Sequence, residues 1–370
     1  MKPINVDDYR RLAQRRLPRM VFDYLDGGAG DEIGVSSNRE AFSKLRFLPK
    51  RLQDVGTIDL RGELLGAGTT APVFIAPLGG AQWLWPHGDI ALARAAARTG
   101  VPFVLSSISH DRIEDVVASA PELVWFQLYV VDRSTARRIV AHVWECGVTV
   151  LMLTVDMPRA AKRERDLRNG FDLMRPWRTF SRSALSHPSW TFAAMRSGSL
   201  RITSVGADGS ASAQQALLRR DMDPTLDWSF LKELRDNWPG KLVVKGVLCP
   251  TDVARCASCG VDAVLLSNHG GRQSDVLPSP MTLLAEAAQS VSIPILIDGG
   301  FRRGWDVLKA VALGGTAVGL GRAVAYGLAA GGESGAVDVL RLLIDEMRDT
   351  LTQIGCRSLK MLDASRLIAN

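Results

Sequence analysis

The chain has 370 residues, of which 46% are hydrophobic and 23% charged, the balance of a soluble globular enzyme; disorder, a collagen repeat and a disulfide scaffold are excluded. Its net charge of +6 suits nucleic acid, an anionic membrane or an acidic substrate, so the position of the charge has to decide among them. Cys146, Cys249, Cys256, Cys259 and Cys356 are odd in number, and the single C-x-x-C at Cys256 and Cys259 has no second pair or ordered histidines; free thiols in a reducing compartment and no metal centre are expected.

The opening stretch, MKPINVDDYRRLAQRRLP, has no apolar h-region, so no secretory signal is expected. Residues 1–70 read as a helical lead-in followed by a short β segment. From 72 to 325, short apolar runs alternate with amphipathic segments. The runs are Val73–Ala76, Phe103–Ser106, Trp125–Leu128, Val150–Val155, Leu242–Lys245, Ala263–Ser267, Ile295–Asp298 and Ala317–Leu320. Each is nearly all apolar, as a parallel strand buried on both faces must be. Helical patterns lie between them, at Asp89–Thr99, Arg133–Cys146, Pro250–Cys259 and Trp305–Ala312. Eight such units predict an α/β fold, a closed (β/α)8 TIM barrel carrying an N-terminal helical extension, in one domain spanning 1–370. An insertion over 172–222 separates the fourth and fifth strands and is too long for an ordinary loop. The apolar stretch 310–332 is interrupted by Arg322 and glycines, and reads as helix end, strand, loop and helix rather than a membrane span.

Polar residues collect at the strand C-termini, the functional face of such a barrel: Ser106, Gln127, Asp156, Lys245, Ser267–His269 and Asp298. The sharpest motif is Ser267-Asn268-His269-Gly270-Gly271-Arg272-Gln273, which sets a base beside a cation in a tight turn. His269 suits general-base work near neutral pH, and Arg272 suits a bidentate carboxylate contact. A histidine that merely caps a glycine turn is the alternative. Asp156, after the fourth strand, is positioned to pair with a protonated histidine and raise its pKa, and Arg163 offers a second carboxylate contact. Alone, the run Lys162–Asp166 would read as a solvated charged face. Asp298-Gly299-Gly300-Phe301-Arg302 and Gly319-Leu320-Gly321-Arg322 follow the seventh and eighth strands, where barrels bind phosphate through backbone N–H groups. Lys245, leaving a buried strand, suits either a Schiff base or an anionic cofactor ring, and the nearby phosphate site favours the ring.

The S-N-H-G-G-R-Q and D-G-G-F-R-R-G motifs, with Leu17–Tyr24 and Trp125–Tyr129, resemble the FMN-dependent L-α-hydroxy acid oxidase and dehydrogenase family over nearly the whole chain, its mandelate-oxidising branch above all. The resemblance implies FMN as cofactor. It implies isoalloxazine contacts from Ser106, Gln127, Thr154, Lys245 and the Pro77, Leu78 and Gly79 backbone. Phosphate and ribityl contacts would come from Ser267, Asp298, Gly300, Arg302, Gly321 and Arg322. His269 becomes the base beside Asp156, Arg163 and Arg272 grip the substrate carboxylate, and Tyr24 and Tyr129 contact carboxylate and hydroxyl. Whether the proton taken is the α-proton or that of the hydroxyl stays open. The family often forms tetramers, so a homotetramer is expected.

Four local features bear on this reading. Gly79 stands where family oxidases tend to carry alanine and dehydrogenases glycine, which implies a membrane quinone or electron-transfer chain as acceptor and slow reaction with oxygen. Ile108 and Ala160 stand where glycolate-oxidising relatives carry bulkier groups, which implies a large substrate such as mandelate or another aromatic (S)-2-hydroxy acid. Ala161-Lys162, before Arg163, departs from the glycine usual there. Finally, 172–222 holds Arg175, Arg178, Arg182, Arg196, Arg201, Arg219 and Arg220 against Asp172, Asp208 and Asp221, interleaved with Trp177, Phe180, Trp190, Phe192 and Met195. This suits an anionic membrane surface and resembles a family membrane-binding segment; with no recognition fold beside it, nucleic acid is not expected. The expected location is the cytoplasmic side of the inner membrane, peripherally bound, against a soluble cytoplasmic alternative and a mobile lid. The competing functions are oxidation of L-lactate or another aliphatic acid, a soluble peroxide-forming oxidase, and a non-catalytic flavin- or phosphate-binding barrel.

Overall fold

The computed structural model describes residues 3–171, 185–196, 202–203, 215–217, 219 and 221–369. Its centre is a closed barrel of eight parallel strands: β1 (Val73–Ile75), β2 (Phe103–Ser106), β3 (Val124–Leu128), β4 (Val150–Thr154), β5 (Lys241–Val247), β6 (Ala263–Leu266), β7 (Ile295–Asp298) and β8 (Ala317–Leu320). Each expected strand is present within a few residues of its expected ends. The ring closes where Val318, Gly319 and Leu320 of β8 register with Val73, Phe74 and Ile75 of β1.

Side chains alternate across each strand, so the barrel has two apolar layers. Phe74, Val104, Trp125, Met152, Val243, Leu265 and Leu296 fill the interior, with Leu64 of an N-terminal hairpin packed against them. Phe103, Leu105, Phe126, Leu128, Leu151 and Leu153 face the surrounding helices. Phe74 and Trp125 need space inside a narrow barrel, and Gly319 provides it: a Cβ there would lie 2.9 Å from Phe74 Cζ.

The N-terminal extension supplies helices Val6–Arg16, Arg19–Asp26 and Ile33–Ser43. Asn5 caps the first by accepting the Asp8 N–H at 2.8 Å. After β8 the chain runs through helix Arg322–Ile354, broken at Gly331 and Gly332, and ends in strand Leu367–Ala369 paired antiparallel with Leu45–Phe47. All five cysteines are free. No helix among the described residues is long and apolar enough to cross a membrane.

Candidate active site

A cleft opens at the C-terminal end of the barrel. Tyr24, Pro77, Leu78, Gly79, Ser106, Ile108, Tyr129, Arg163, Lys245, His269, Arg272, Asp298, Gly300, Arg302, Gly321 and Arg322 line it. Asp156, Gln127, Thr154 and Ser267 lie behind that lining and hold it in place.

The histidine turn is built by non-local packing. His269 itself has φ +56°, a left-handed backbone that a side chain adopts at a cost of about 1 kcal/mol. Asn268 caps the turn by accepting the Gly271 N–H at 3.1 Å, and its amide exchanges two 2.8 Å hydrogen bonds with Asn38 of the N-terminal extension. A Cβ at Gly271 would meet the Gly34 backbone at 2.6 Å, so helix Ile33–Ser43 packs directly on the turn. The extension therefore holds the histidine turn in place.

Asp156 approaches from β4. Its carboxylate lies 3.0 and 3.1 Å from His269 Nδ1 and 3.5 Å from Lys245 Nζ. A register shift in β5 at Gly246 makes this possible: Gly246 has φ +104°, and a Cβ there would lie 2.5 Å from Asp156 Cβ. Burial alone would raise the Asp156 pKa, but His269 and Lys245 hold it at about 2. An ionised carboxylate only accepts, so Nδ1 carries the imidazole proton and Nε2 is left as the acceptor, 3.4 Å from Tyr129 Oη.

Expectation and structure differ in one respect here. Asp156 does raise the His269 pKa, but burial outweighs it, with Lys245 and Arg163 acting in the same direction, and the imidazole is held down at about 4. The imidazole is neutral because it is buried.

The remaining predicted residues fall into three groups. Ser106, Gln127 and Thr154 form a buried row: Gln127 Oε1 accepts from Ser106 Oγ at 3.2 Å, and Gln127 Nε2 donates to Thr154 Oγ1 at 2.9 Å. Lys245 donates to Ser267 Oγ at 3.0 Å and lies 3.8 Å from Asp298. At the entrance, Tyr24 Oη donates to the Gly79 carbonyl at 3.0 Å, and its ring lies under both Arg163 and Arg272. Arg272 has further duties: its Nη atoms donate to the carbonyls of Tyr24, Leu25 and Gly27 at 2.7–3.1 Å. The mixed-charge run separates by residue, with Arg163 buried in the cleft and Lys162 exposed.

Sequence reasoning missed Arg165, which joins Asp23, Asp26 and Glu32 of the extension. A charge run gives no local sign of such partners. Of the basic insertion, Arg175, Arg178, Arg182, Arg201, Arg220, Trp177, Phe180, Asp172 and Asp208 lie outside the described residues, as does the Arg196 side chain. Helix Pro188–Arg196 is described; it buries Trp190 against Trp83 and leaves Phe192 and Met195 exposed.

The end of the cleft at β7 and β8 is shaped for an anionic group. Arg302 Nε, Arg322 Nε and Asp298 Oδ1 are buried without hydrogen-bond partners among the described residues, an arrangement that calls for a ligand. A Cβ at Gly321 would meet only Ala76, at 4.0 Å, so space is kept at the N-terminus of helix Arg322–Ile354.

Fold and cleft together define a (β/α)8 barrel whose strand C-termini hold an Asp-oriented histidine beside a cluster of buried arginines shaped for an anionic group. Residues 13–369 match the family model for FMN-dependent dehydrogenases. The chain is 47% identical to (S)-mandelate dehydrogenase of Pseudomonas putida over 98% of its own length and 93% of that protein. It is 38% identical to a putative L-lactate dehydrogenase of Mycobacterium tuberculosis (strain ATCC 25618 / H37Rv), over 97% and 87% of the two chains. The crystal structure of a monotopic membrane protein, (S)-mandelate dehydrogenase, superposes with a TM-score of 0.95 at 46% identity, covering 100% of both chains. The chain belongs to the FMN-dependent dehydrogenase family, and its cofactor is FMN.

Proposed function

We propose that this protein oxidises an (S)-2-hydroxy acid of the mandelate type to the 2-keto acid and passes the electrons to a membrane quinone or electron-transfer acceptor. The observation that carries the reading is the His269 imidazole, with Nδ1 on Asp156 and Nε2 aimed into a cleft that also holds Arg163, Tyr24 and Tyr129. Arg163 and the charge of Arg272 hold the carboxylate, Tyr24 and Tyr129 orient carboxylate and hydroxyl, and the α-carbon comes within reach of the base. His269 Nε2 takes a proton from the substrate, and the Asp156 carboxylate steadies the imidazolium that results. Ile108, Met157 and Leu84 give the cleft an apolar wall for an aromatic side chain.

FMN supplies a two-electron acceptor when bound. Arg302, Arg322, Gly300, Gly321, Ser267 and Asp298 would hold its phosphate and ribityl chain. Ser106, Gln127, Thr154 and the Pro77–Gly79 backbone would hold the ring, with Lys245 as the fixed cation beside it. An anaerobic screen of flavin bleaching with glycolate, both lactates and both mandelates tests cofactor, stereochemistry and pocket size together. Bleaching fastest with (S)-mandelate is expected; equal rates with glycolate would remove the aromatic reading.

The exposed face of helix Pro188–Arg196 supports peripheral attachment to an anionic membrane. Trp190 and Ala194 are buried, while Phe192 and Met195 are 62% and 65% exposed and nearby Leu185 is 98% exposed. Large apolar groups left in water beside a basic segment suit a headgroup boundary better than a soluble surface. Deleting 175–215 should release the protein from the membrane fraction, and continued sedimentation with membranes would remove this reading. A homotetramer is the accompanying expectation, tested by sedimentation velocity in detergent.

A further inference from the structure

On the outside of the barrel, folding joins three side chains that are dispersed in sequence. Glu114 lies in the first turn of helix Ile113–Ser119, which follows β2. His142 lies in helix Arg133–Glu145, which follows β3, and Cys146 is that helix's C-cap. The i, i+4 spacing stacks the imidazole and the thiol on one helix face. His142 Nε2 is 3.6 Å from Glu114 Oε1 and 3.8 Å from Cys146 Sγ. One ligand atom from each residue lies within 4.8 Å of the other two.

These separations resemble those around an ion. Tetrahedral zinc, with bonds of about 2.0–2.3 Å, has ligand-to-ligand edges of roughly 3.4–3.6 Å. The two edges at the histidine are within a few tenths of an ångström of that range, and the third, between Glu114 and Cys146, is at most 4.8 Å. The side chains are also accessible, with His142 34% and Glu114 42% exposed and Cys146 half-buried. A glutamate–histidine ion pair alone would not require the thiol. We propose that Glu114, His142 and Cys146 bind a divalent cation of the zinc class, with a fourth position open to water, and so clamp the helix after β2 to the helix after β3.

The donor set selects the ion. A thiolate and an imidazole suit zinc and other borderline or soft cations, and not magnesium or calcium. On binding, Cys146 releases its thiol proton to solvent and the thiolate pair forms the bond to the metal; no electron transfer is involved. Arg112 is the built-in competitor. Its Nη2 lies 3.4 Å from Glu114 Oε1, the atom facing His142, and its side chain is 68% exposed, so it is free to swing away. The sequence showed no metal motif because the ligands come from two helices and follow no C-x-x-C spacing.

The test uses the full-length FMN-loaded enzyme and zinc chloride in chelator-free buffer. The readout is iodoacetamide alkylation of each cysteine, followed by peptide mass spectrometry. Zinc should slow alkylation of Cys146 at least several-fold while leaving exposed Cys249 unchanged. His142→Ala and the milder His142→Gln should abolish this protection, and Glu114→Gln should move it to higher zinc. Arg112→Ala should move it to lower zinc. Equal alkylation of Cys146 with and without saturating zinc would overturn the proposal. So would protection that survives both His142 variants, or protection that Cys249 shares.

Discussion

His269 Nδ1 lies 3.0 Å from Asp156 Oδ1, while the opposite ring nitrogen faces Tyr129 across 3.4 Å. The carboxylate thus fixes both the tautomer and the direction of the base. Asp156→Asn keeps the size of the side chain but removes the charge, so either ring nitrogen can carry the proton. It should lower kcat roughly 100- to 10,000-fold. FMN content should be unchanged, because Asp156 lies behind the cleft lining. Flavin absorbance per protein and the anaerobic bleaching rate measure the two effects separately.

The pH profile follows from burial. His269 is held at about 4 by burial, partly offset by Asp156, so it stays a competent base well below the usual histidine value of about 6.5. The acid limb of kcat/KM for bleaching should fall nearer pH 4 than 6.5. A limb at 6.5 would show that the imidazole is not buried in the working enzyme.

Stability has two opposing limbs. His269 and His110 are both held at about 4, chiefly by burial, whereas in the unfolded chain they titrate near 6.5. Between those values the unfolded state binds more protons, so this contribution to stability shrinks as pH falls from about 6.5 to 4. Asp89 has the opposite sign. Burial, then Asp111, raises it to about 8, so the native state keeps a proton that the unfolded state has lost above about 4. That stabilisation shrinks as pH rises toward 8. Asp298, Asp306 and Glu346 are raised by burial too and share the sign of Asp89, so the two histidines do not dominate the acid side. Above pH 6.5 the histidine contribution is complete while that of Asp89 still shrinks, so the urea midpoint of the holoenzyme should fall from pH 6.5 to 8.

The barrel was legible because a strand buried on both faces has to be apolar throughout, as in Val150–Thr154 and Ala263–Leu266. The site was legible where its residues sit at strand ends or in the histidine turn. Long-range arrangements were not. Asn38 bonds Asn268 across 230 residues, and Arg165 reaches Asp26 across 139. Gly246 looks like any glycine until Asp156 is seen against it. Likewise, no local pattern shows that Arg272 donates to the carbonyls of Tyr24, Leu25 and Gly27.

Ile108 is 3% exposed and forms the wall of the cleft opposite Gly79, so it limits the space for the substrate side chain. Ile108→Trp should lower kcat/KM for mandelate by more than about tenfold and leave glycolate much less affected. The ratio of the two constants is the measurement, because a general loss of activity would lower both.

Gly79→Ala tests the acceptor. A Cβ there would meet Ile108 Cβ at 3.5 Å, an ordinary contact, so the variant should fold and bind FMN normally. It should consume oxygen several-fold faster during turnover, as expected if glycine at this position favours a dehydrogenase over an oxidase. An oxygen electrode with mandelate as reductant reads this directly, and unchanged oxygen uptake would detach Gly79 from acceptor choice.

Asp26 joins the extension to the barrel. Its carboxylate accepts from Arg10 at 2.7 Å through both oxygens, from Arg165 at 3.1 Å and from Tyr326 at 2.6 Å, and only 8% of it is exposed. Burial opposes its ionisation, but these donors hold the pKa well below the ordinary carboxylate range. Asp26→Ala leaves the buried Tyr326 hydroxyl without its acceptor, while Arg10 and Arg165 are each more than a third exposed and Arg165 keeps Asp23 and Glu32; the expected cost is about 1–3 kcal/mol. Because the same extension carries Asn38, the damage should spread to the histidine turn. The variant should unfold at lower urea and, at temperatures where it is still folded, bleach its flavin more slowly than wild type. Loss of stability with an unchanged bleaching rate would show that the extension holds the barrel together without orienting His269.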